Sequence, residues 1–283
     1  MPVDFKYKLD TSSKKFECPN CGKKTFVKYR DEKGYFAPDE FGRCDREVNC
    51  GYLMIPENDK TIVEPKPREI KPIQYIDFDD AATTSTNFED NNLIKFLVSK
   101  FGVDAVNDLI LQYRIGIDQT FPSTRDWIIW WQFDVNGRCR SGKLMRYLAD
   151  GHRDKNHGTT WYHKINPKYK GFEVTQCFFG EHLLPMFPTK KVAIVESEKT
   201  AVIASHFMPE YLWIASCSKT GLGYHKCKVL KNRNVTLFPD LGAFEDWRLK
   251  AQEYGWSIYS HMEKNATAEE RAMGLDIADY LIL

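Results

Sequence analysis

The hydrophobic positions change their rhythm along the chain. In residues 88–114, Leu93, Phe96, Leu97, Phe101, Val106, Leu109 and Ile110 recur at helical spacing. They predict helix, with Gly102 as a break. Trp127-Ile128-Ile129-Trp130-Trp131-Gln132-Phe133 is rich in β-formers, Asp134 to Gly137 is a turn signal, and Arg138 to Leu148 returns. That stretch predicts a hairpin. From residue 190 short apolar runs alternate with helical stretches. Val192 to Val195, Tyr211 to Ala215, Val235 to Phe238 and Trp256 to Tyr259 read as strands. Ser197 to Phe207, Ala243 to Tyr254 and Thr267 to Leu283 read as helices. Strands alternating with helices predict βαβ units and a parallel sheet. Ligands of such sheets sit beyond the carboxyl ends of the strands. Glu196 directly follows the first of these strands and Asp240 the third.

The front of the chain is different. Residues 1–57 are polar and punctuated by Gly and Cys. Residues 58–85 carry Pro65, Pro67 and Pro72 among charges, then Asp77-Phe78-Asp79-Asp80. This reads as an extended linker, because each Pro removes a donor and restrains its neighbour. The expected architecture is α/β: a zinc ribbon (1–57), a linker and helical segment (58–120), a basic α+β subdomain (121–188) and a parallel-sheet domain (189–283).

Composition narrows the class. Of the 283 residues 42% are hydrophobic and 28% charged, and the net charge is +1. A polycation that coats nucleic acid in bulk is excluded, so any basic surface is local. No apolar run approaches ~18 residues, and Met1 to Lys6 lacks a signal-peptide core. The expected location is the cytoplasm, with no membrane partner. There the eight cysteines stay reduced. Four are scattered (Cys139, Cys177, Cys217, Cys227) and read as packing.

Cys18, Cys21, Cys44 and Cys50 are clustered. Cys18-Pro19-Asn20-Cys21-Gly22 is a CxxC knuckle, and Cys44 and Cys50 are followed by Gly51. Four thiolates suit a closed tetrahedral Zn²⁺ site. The second pair is spaced wider than usual, so unmetallated thiols stay the alternative.

Between Asn136 and Lys170 nine basic residues face two acids, a local charge of +7, with Trp161, Tyr162 and Tyr169 interleaved. Cations hold phosphates and aromatic faces stack bases, which suits a single strand. A solvated sheet face is the alternative. Gly137 to Leu144 matches GxxxxGK, but Leu144 stands where a P-loop needs a hydroxyl, and the stretch lies in a hairpin. Thr220 to Gly223 lacks the third glycine of a dinucleotide fingerprint. The histidines show no metal-ligand spacing. Cys217-Ser218-Lys219-Thr220 follows a strand and is small, polar and basic enough to line a phosphate site.

The order of these parts resembles a known layout. Val195-Glu196-Ser197-Glu198-Lys199-Thr200-Ala201 resembles the first motif of the Toprim fold. Leu237-Phe238-Pro239-Asp240-Leu241-Gly242 looks like its Asp-x-Asp motif, with Gly242 where the second Asp belongs and Ser197 where a Gly follows the Glu. Leu275 to Leu281 resembles the late acidic motif of primase-helicase Toprim domains. Phe133 to Arg138 and Gly142 to Tyr147 are similar to the basic subdomain before Toprim in bacterial-type primases. Phe178 to Leu184 is similar to the joining segment. With the ribbon in front, the chain resembles bacterial or phage DNA primases and the Toprim-like proteins of Bacteroidetes mobile elements.

The resemblance implies Mg²⁺- or Mn²⁺-dependent nucleotidyl transfer on single-stranded DNA with nucleoside triphosphates, as in DNA replication of a mobile element or phage. Glu196 is then general base or metal ligand, Asp240 the principal ligand and Asp276 a further one. Arg138, Arg140, Lys143, Arg146, Lys199 and Lys219 hold template or triphosphate. Glu245 and Asp246 are candidates to compensate for Gly242. A replicative helicase, as a partner, would be recruited in trans or through residues 86–120, since no helicase-docking domain is expected after Leu283. Two other outcomes are a binding protein with a degenerate Toprim site and a Toprim nuclease. Without the resemblance, Glu196 and Glu198 are acids favoured by a helix N-terminus, and Asp276 and Asp279 are helix surface.

Overall fold

The computed structural model describes residues 7–12, 14–46, 50–56 and 73–282. Pro65, Pro67 and Pro72 lie outside them. By contact the chain divides into two units: Met1–Pro72 with Gly223–His225, and Ile73–Leu222 with Lys226–Leu283. Among the described residues no helix is long and apolar enough to cross a membrane.

The first unit is a small antiparallel sheet. Its strands are β1 (Tyr7–Leu9), β2 (Phe16–Glu17), β3 (Lys24–Asp31), β4 (Gly42–Cys44) and β5 (Leu53–Met54), in the order β1-β3-β4-β5 with β2 also on β3. The buried centre is Cys18, Phe26, Cys44 and Cys50, with Phe16, Cys21 and Tyr52 packed around it. So few apolar groups cannot outweigh the entropy of ordering the segment, and the sulfurs must contribute through a metal.

The second unit opens with α1 (Phe78–Ala82), α2 (Asn92–Phe101) and α3 (Val103–Tyr113). Helix α1 begins where the sequence reads as extended linker. Asp79 and Asp80 lie in its first turn, where the helix dipole favours acids. Asn91 caps α2 by accepting from Leu93 N and Ile94 N. Gly102 separates α2 from α3 at φ 82°, a conformation that costs glycine little.

An antiparallel sheet follows in the order β6 (Ile115–Ile117), β7 (Ile128–Phe133), β8 (Cys139–Met145), β9 (Thr160–Trp161), with α4 (Tyr162–Ile165) after it. Strand β7 is buried throughout because both of its faces are covered. Ile128 and Trp130 join the larger core with Met145 and Tyr147. Ile129, Trp131 and Phe133 join a second core with Leu144 and Tyr162. Period-2 alternation of side chains thus puts apolar residues on both faces, so no polar alternation shows in the sequence. Truncating fully buried Trp130 to Ala costs about 3–5 kcal/mol. The β7–β8 turn is closed by Gly137 N donating to Asp134 O at 2.8 Å.

The last third is the predicted parallel sheet. It comprises β10 (Lys191–Val195), α5 (Glu198–Phe207), β11 (Tyr211–Ala215), α6 (Tyr224–Cys227), β12 (Val235–Leu237), α7 (Phe244–Tyr254), β13 (Ser257–Ile258), α8 (His261–Asn265), α9 (Ala268–Met273) and α10 (Ile277–Leu281). The strand order is β11-β10-β12-β13, all parallel. The chain leaves β10 for one neighbour and returns beyond it for the other, so the switch point lies between β10 and β12. Val192 to Val195 are fully buried, as expected for a strand covered on both faces. The single closing helix expected from Thr267 onward is two helices. Gly274 ends α9 at φ 67°, and Asp276 caps α10. Helices α6 and α8 carry no long apolar period and were not expected.

Candidate functional site

In the first unit two knuckles bring four sulfurs together. Gly22 N donates to Cys18 O at 2.8 Å, and Cys50 N and Gly51 N both donate to Arg46 O. Gly22 and Gly51 each sit at positive φ, 65° and 63°, which only glycine adopts freely. The Sγ atoms of all four cysteines lie within 4.8 Å of one another. Cys18 and Cys50 Sγ are 3.6 Å apart, and Cys21 and Cys44 Sγ 3.9 Å. A tetrahedral Zn²⁺ with Zn–S of about 2.3 Å sets neighbouring sulfurs about 3.8 Å apart. The four residues fit a structural zinc ion. Asn20 Nδ2 approaches Cys50 Sγ at 3.5 Å, and Thr25 Oγ1 lies 3.2 Å from Cys44 Sγ. Such contacts orient thiolates and tune their charge.

In the second unit a cavity of about 240 Å³ opens at the carboxyl end of the parallel sheet. Its walls include Glu196 after β10, Glu198 at the start of α5, Cys217 and Ser218 after β11, and Asp240 after β12. Strand β8 contributes Lys143 and Met145 from the other sheet. The switch point therefore carries the acids. Ser197 has ordinary extended φ (−102°) and caps α5 by accepting from Thr200 N. A serine in place of the glycine of the Toprim pattern is thus a helix cap.

Glu196 Oε1, Glu198 Oε1 and Asp240 Oδ1 are buried without a hydrogen-bond partner among the described residues. A buried carboxylate oxygen left bare is costly. Burial pushes Asp240 up to about 9, reinforced by the charges of Glu196, Asp276 and Asp279. Burial also pushes Glu196 up to about 7, opposed by Lys219 and reinforced by Asp276 and Asp246. Each carboxyl is short of positive charge, and a bound cation would supply it. These oxygens suit a hard divalent ion such as Mg²⁺ or Mn²⁺. The four cysteines are the one group of three or more potential ligands gathered within 4.8 Å among the described residues. The acids surround a space rather than close on a point.

Asp276 is held by hydrogen bonds on both oxygens. Its Oδ1 accepts from Ala278 N and Asp279 N, and its Oδ2 accepts from Thr200 Oγ1. It is the N-cap of α10, and its charge is felt at Asp240. Gly242 sits at φ 90°, and a Cβ there meets nothing within 4 Å. Glu245 pairs with Arg248 at 2.9 Å and Asp246 with Lys219 at 2.8 Å. Asp246 reaches Glu196 electrostatically, but neither acid is among the charges that move Asp240.

The basic residues separate. Lys143 and Lys199 line the cavity. Lys143 Nζ bonds Glu198 Oε2 at 3.0 Å and Cys217 O at 3.2 Å, while Lys199 Nζ donates to Gly151 O. Lys219 donates to Gly242 O. Arg140 and Arg138 bind Asp134 at 2.9 and 3.2 Å and lie over the Tyr75 ring. Arg146 faces Asp154 and His157. Arg138 and Arg140 are thus engaged at the β7–β8 turn and Arg146 just beyond the far end of β8, and none of the three is among the residues that line the cavity. Arg153, one of the nine cations of the basic stretch but not singled out for the site, lines the cavity and is exposed. Sequence reasoning missed Glu198 as a site residue, since its position reads as an ordinary helix start. The β8 alternation gave a signal: Lys143 shares a face with Met145.

A family profile described as a domain of unknown function (DUF6371) matches residues 91–241, and one for a zinc beta-ribbon finger matches residues 5–64. The comparison with curated proteins finds no match. Among solved structures the chain is similar to the RNA polymerase domain of Mycobacterium tuberculosis primase DnaG in complex with double-stranded DNA. There the identity is 13%, with 72% of this chain and 74% of that one covered and a TM-score of 0.48. It is similar to the primase fragment of the bacteriophage T7 primase-helicase protein at 14% identity, covering 92% and 98%, with a TM-score of 0.41. It is also similar to the Aquifex aeolicus primase zinc-binding and RNA polymerase domains at 9% identity, covering 97% and 80%, with a TM-score of 0.37. What the site does is read below from this chain's own residues.

Proposed function

The chain belongs to the DUF6371 family, a domain of unknown function, and from its acidic cavity we propose that it is a primase-like nucleotidyltransferase acting on single-stranded DNA. One observation carries the reading. At the switch point of the parallel sheet, Glu196 and Asp240 each keep a buried oxygen without a partner, in a cavity that Lys143, Arg153 and Lys199 also line. Acids for a cation beside cations for phosphate are what phosphoryl chemistry needs. The order of the sequence motifs supports the same reading.

In this reaction a 3′-hydroxyl attacks the α-phosphate of a nucleoside triphosphate and pyrophosphate leaves. Glu196, pushed up to about 7, is matched to accept the hydroxyl proton near neutral pH. Asp240, with Glu196 as the alternative to its role as base, would hold Mg²⁺ or Mn²⁺, which would supply positive charge to the reacting phosphate. Arg153 and Lys199 hold the triphosphate, and Asp276 positions Thr200 and α5. Exposed Lys155, Lys164 and Lys170 of the basic stretch hold template. Replication of a mobile element or phage in the cytoplasm, with a helicase in trans, is the setting that the primase layout suggests.

A second reading, DNA binding without catalysis, has its own support. Gly242 brings no carboxylate, and no three acidic side chains gather as a ligand group among the described residues. Zinc-loaded protein with single-stranded DNA, labelled ribonucleotides and Mg²⁺ or Mn²⁺ decides between them. Labelled oligonucleotides that vanish in Asp240→Ala establish the primase. DNA binding without product moves the assignment to the second reading, and shortened template to a nuclease.

A further inference from the structure

The missing acid at position 242 leaves the cavity with two of the expected carboxylates. A third acid is nevertheless present, contributed by the other side of the switch point. Glu198 is 1% exposed. Its Oε2 is held by Lys143 Nζ at 3.0 Å, and its Oε1 is buried and unpartnered. It lines the same cavity as Glu196 and Asp240. Among the described residues these three are the only carboxylates with a buried, unpartnered oxygen, and all three line that cavity. Other buried acids are satisfied: Glu181 accepts from Val135 N and Phe178 N, and Asp118 from Thr120 N and Thr124 Oγ1.

A structural ion pair does not account for Glu198. One oxygen already meets the ammonium, and the second is left bare where a hydrogen bond or a cation belongs. We propose that Glu198 is the third acidic group of the divalent-cation site, replacing the carboxylate that Gly242 lacks, and that Lys143 is the counter-ion that holds its charge until the cation binds. The inference rests on the cation-site reading above. The ammonium ties β8, the start of α5 and the Cys217 carbonyl after β11. It neutralises one oxygen of Glu198 and leaves Oε1 bare. The three acids do not close on a point. Mg²⁺ and Mn²⁺ tolerate that when water completes the shell, since Mg²⁺ dehydrates reluctantly. Lys143 then serves the acid rather than the triphosphate, and Arg153 and Lys199 are left for phosphate.

The test is Mn²⁺ binding to the full zinc-loaded chain, read by electron paramagnetic resonance of free Mn²⁺ and by the Mn²⁺-induced rise in melting temperature. Glu198→Gln keeps the shape and is expected to weaken Mn²⁺ at least tenfold, as are Glu196→Gln and Asp240→Asn. Glu245→Gln is expected to stay within twofold. Lys143→Met separates the roles. It removes a competing cation and leaves Glu198 buried and charged, so the protein melts lower without Mn²⁺ and gains more from it than the wild type. If Lys143→Met and Glu198→Gln lose Mn²⁺ equally, the pair is a strut and the inference is overturned. If Asp240→Asn loses Mn²⁺ while folded Glu198→Gln stays within twofold, Glu198 is no ligand, though the cation site stands. A wild type that binds no Mn²⁺ overturns both. Should Glu198→Gln not fold, Lys143→Met with its enlarged Mn²⁺ gain still carries the test.

Discussion

The two clusters of acidic ligands in this chain are built on opposite plans. The four thiols of the ribbon come from two short knuckles and already stand at the spacing of a tetrahedral ion, with sulfur pairs at 3.6 and 3.9 Å. The carboxylates of the cavity come from the ends of β10 and β12 and the start of α5, and they stand around a space. A closed set of soft ligands leaves no open position, and its work is to hold a fold together. An open set of hard ligands beside ammonium and guanidinium groups leaves room for water and phosphate. The difference teaches where stability is gained from a metal and where it is given up to keep carboxylate oxygens bare.

Zinc removal tests the first half and carries the largest effect. Structural zinc in small domains contributes on the order of 10 kcal/mol to folding. The ribbon core is four residues, three of them cysteines, so little else remains. Cys44→Ser, or a zinc-selective chelator, is expected to collapse the amide dispersion of residues 7–56 in a heteronuclear NMR spectrum. Retained dispersion in the metal-free protein would break the contrast, because the thiols would then be ordinary packing.

The acidic cavity should behave in the reverse sense when no divalent cation is added. The folded values of Glu196 and Asp240 lie above the ordinary 4.5 and 3.8, at about 7 and about 9. Groups raised by folding bind more protons folded than unfolded. Their contribution is complete below about pH 4 and is lost as pH rises through about 7 and then about 9. Partly exposed Glu196 is discounted for solvent screening, so most of the effect belongs to Asp240. Stability from urea midpoints should fall by on the order of 2–3 kcal/mol between pH 5 and pH 8. Millimolar Mg²⁺ should flatten that slope. A flat profile without Mg²⁺ would show that the acids are paired in solution.

A smaller effect of the same origin follows from one substitution. Asp240→Asn removes the need to keep a proton on a buried acid. It is expected to raise stability at pH 8 by about 1–2 kcal/mol and to abolish the Mg²⁺ response. A destabilised Asp240→Asn would mean that the carboxylate is satisfied in the native state.

Much of this contrast could be read before the fold was known, and the reason is locality. The knuckles need only neighbours in sequence, so Cys18, Cys21, Cys44 and Cys50 identify themselves. Glu196 and Asp240 were legible because each follows a short apolar run, and parallel sheets place ligands at strand ends. The break at Gly102 was legible from the glycine. The break at Gly274 was not taken, although a C-cap glycine two residues before a capping Asp276 is a signal that the sequence carries. The Lys143–Glu198 pair was hidden, since 55 residues separate its partners and only the packing of one sheet against another brings them together. Charge counting around the hairpin gathered nine cations without saying which face each takes. Lys143 and Arg153 line the cavity, while Arg138 and Arg140 are spent on Asp134.

The finest test restores the carboxylate that the Toprim pattern has and this chain lacks. Gly242 lies at φ 90° with open space where a Cβ would stand. Gly242→Asp meets no clash, but a side chain in that backbone region costs about 1 kcal/mol. Added negative charge near an already raised Asp240 should deepen the loss of metal-free stability at high pH. The same charge should strengthen divalent-cation binding several-fold, because a third carboxylate is then available from β12's side of the switch point. If Glu198 already fills that role, the gain in Gly242→Asp is small while Glu198 is intact. It becomes large in Gly242→Asp/Glu198→Gln, where the new acid substitutes for the lost one. Isothermal titration of Mn²⁺ into both variants reads the difference. Equal gains with and without Glu198 would separate the two positions and leave Gly242 as the sole point where the cavity falls short of a catalytic site.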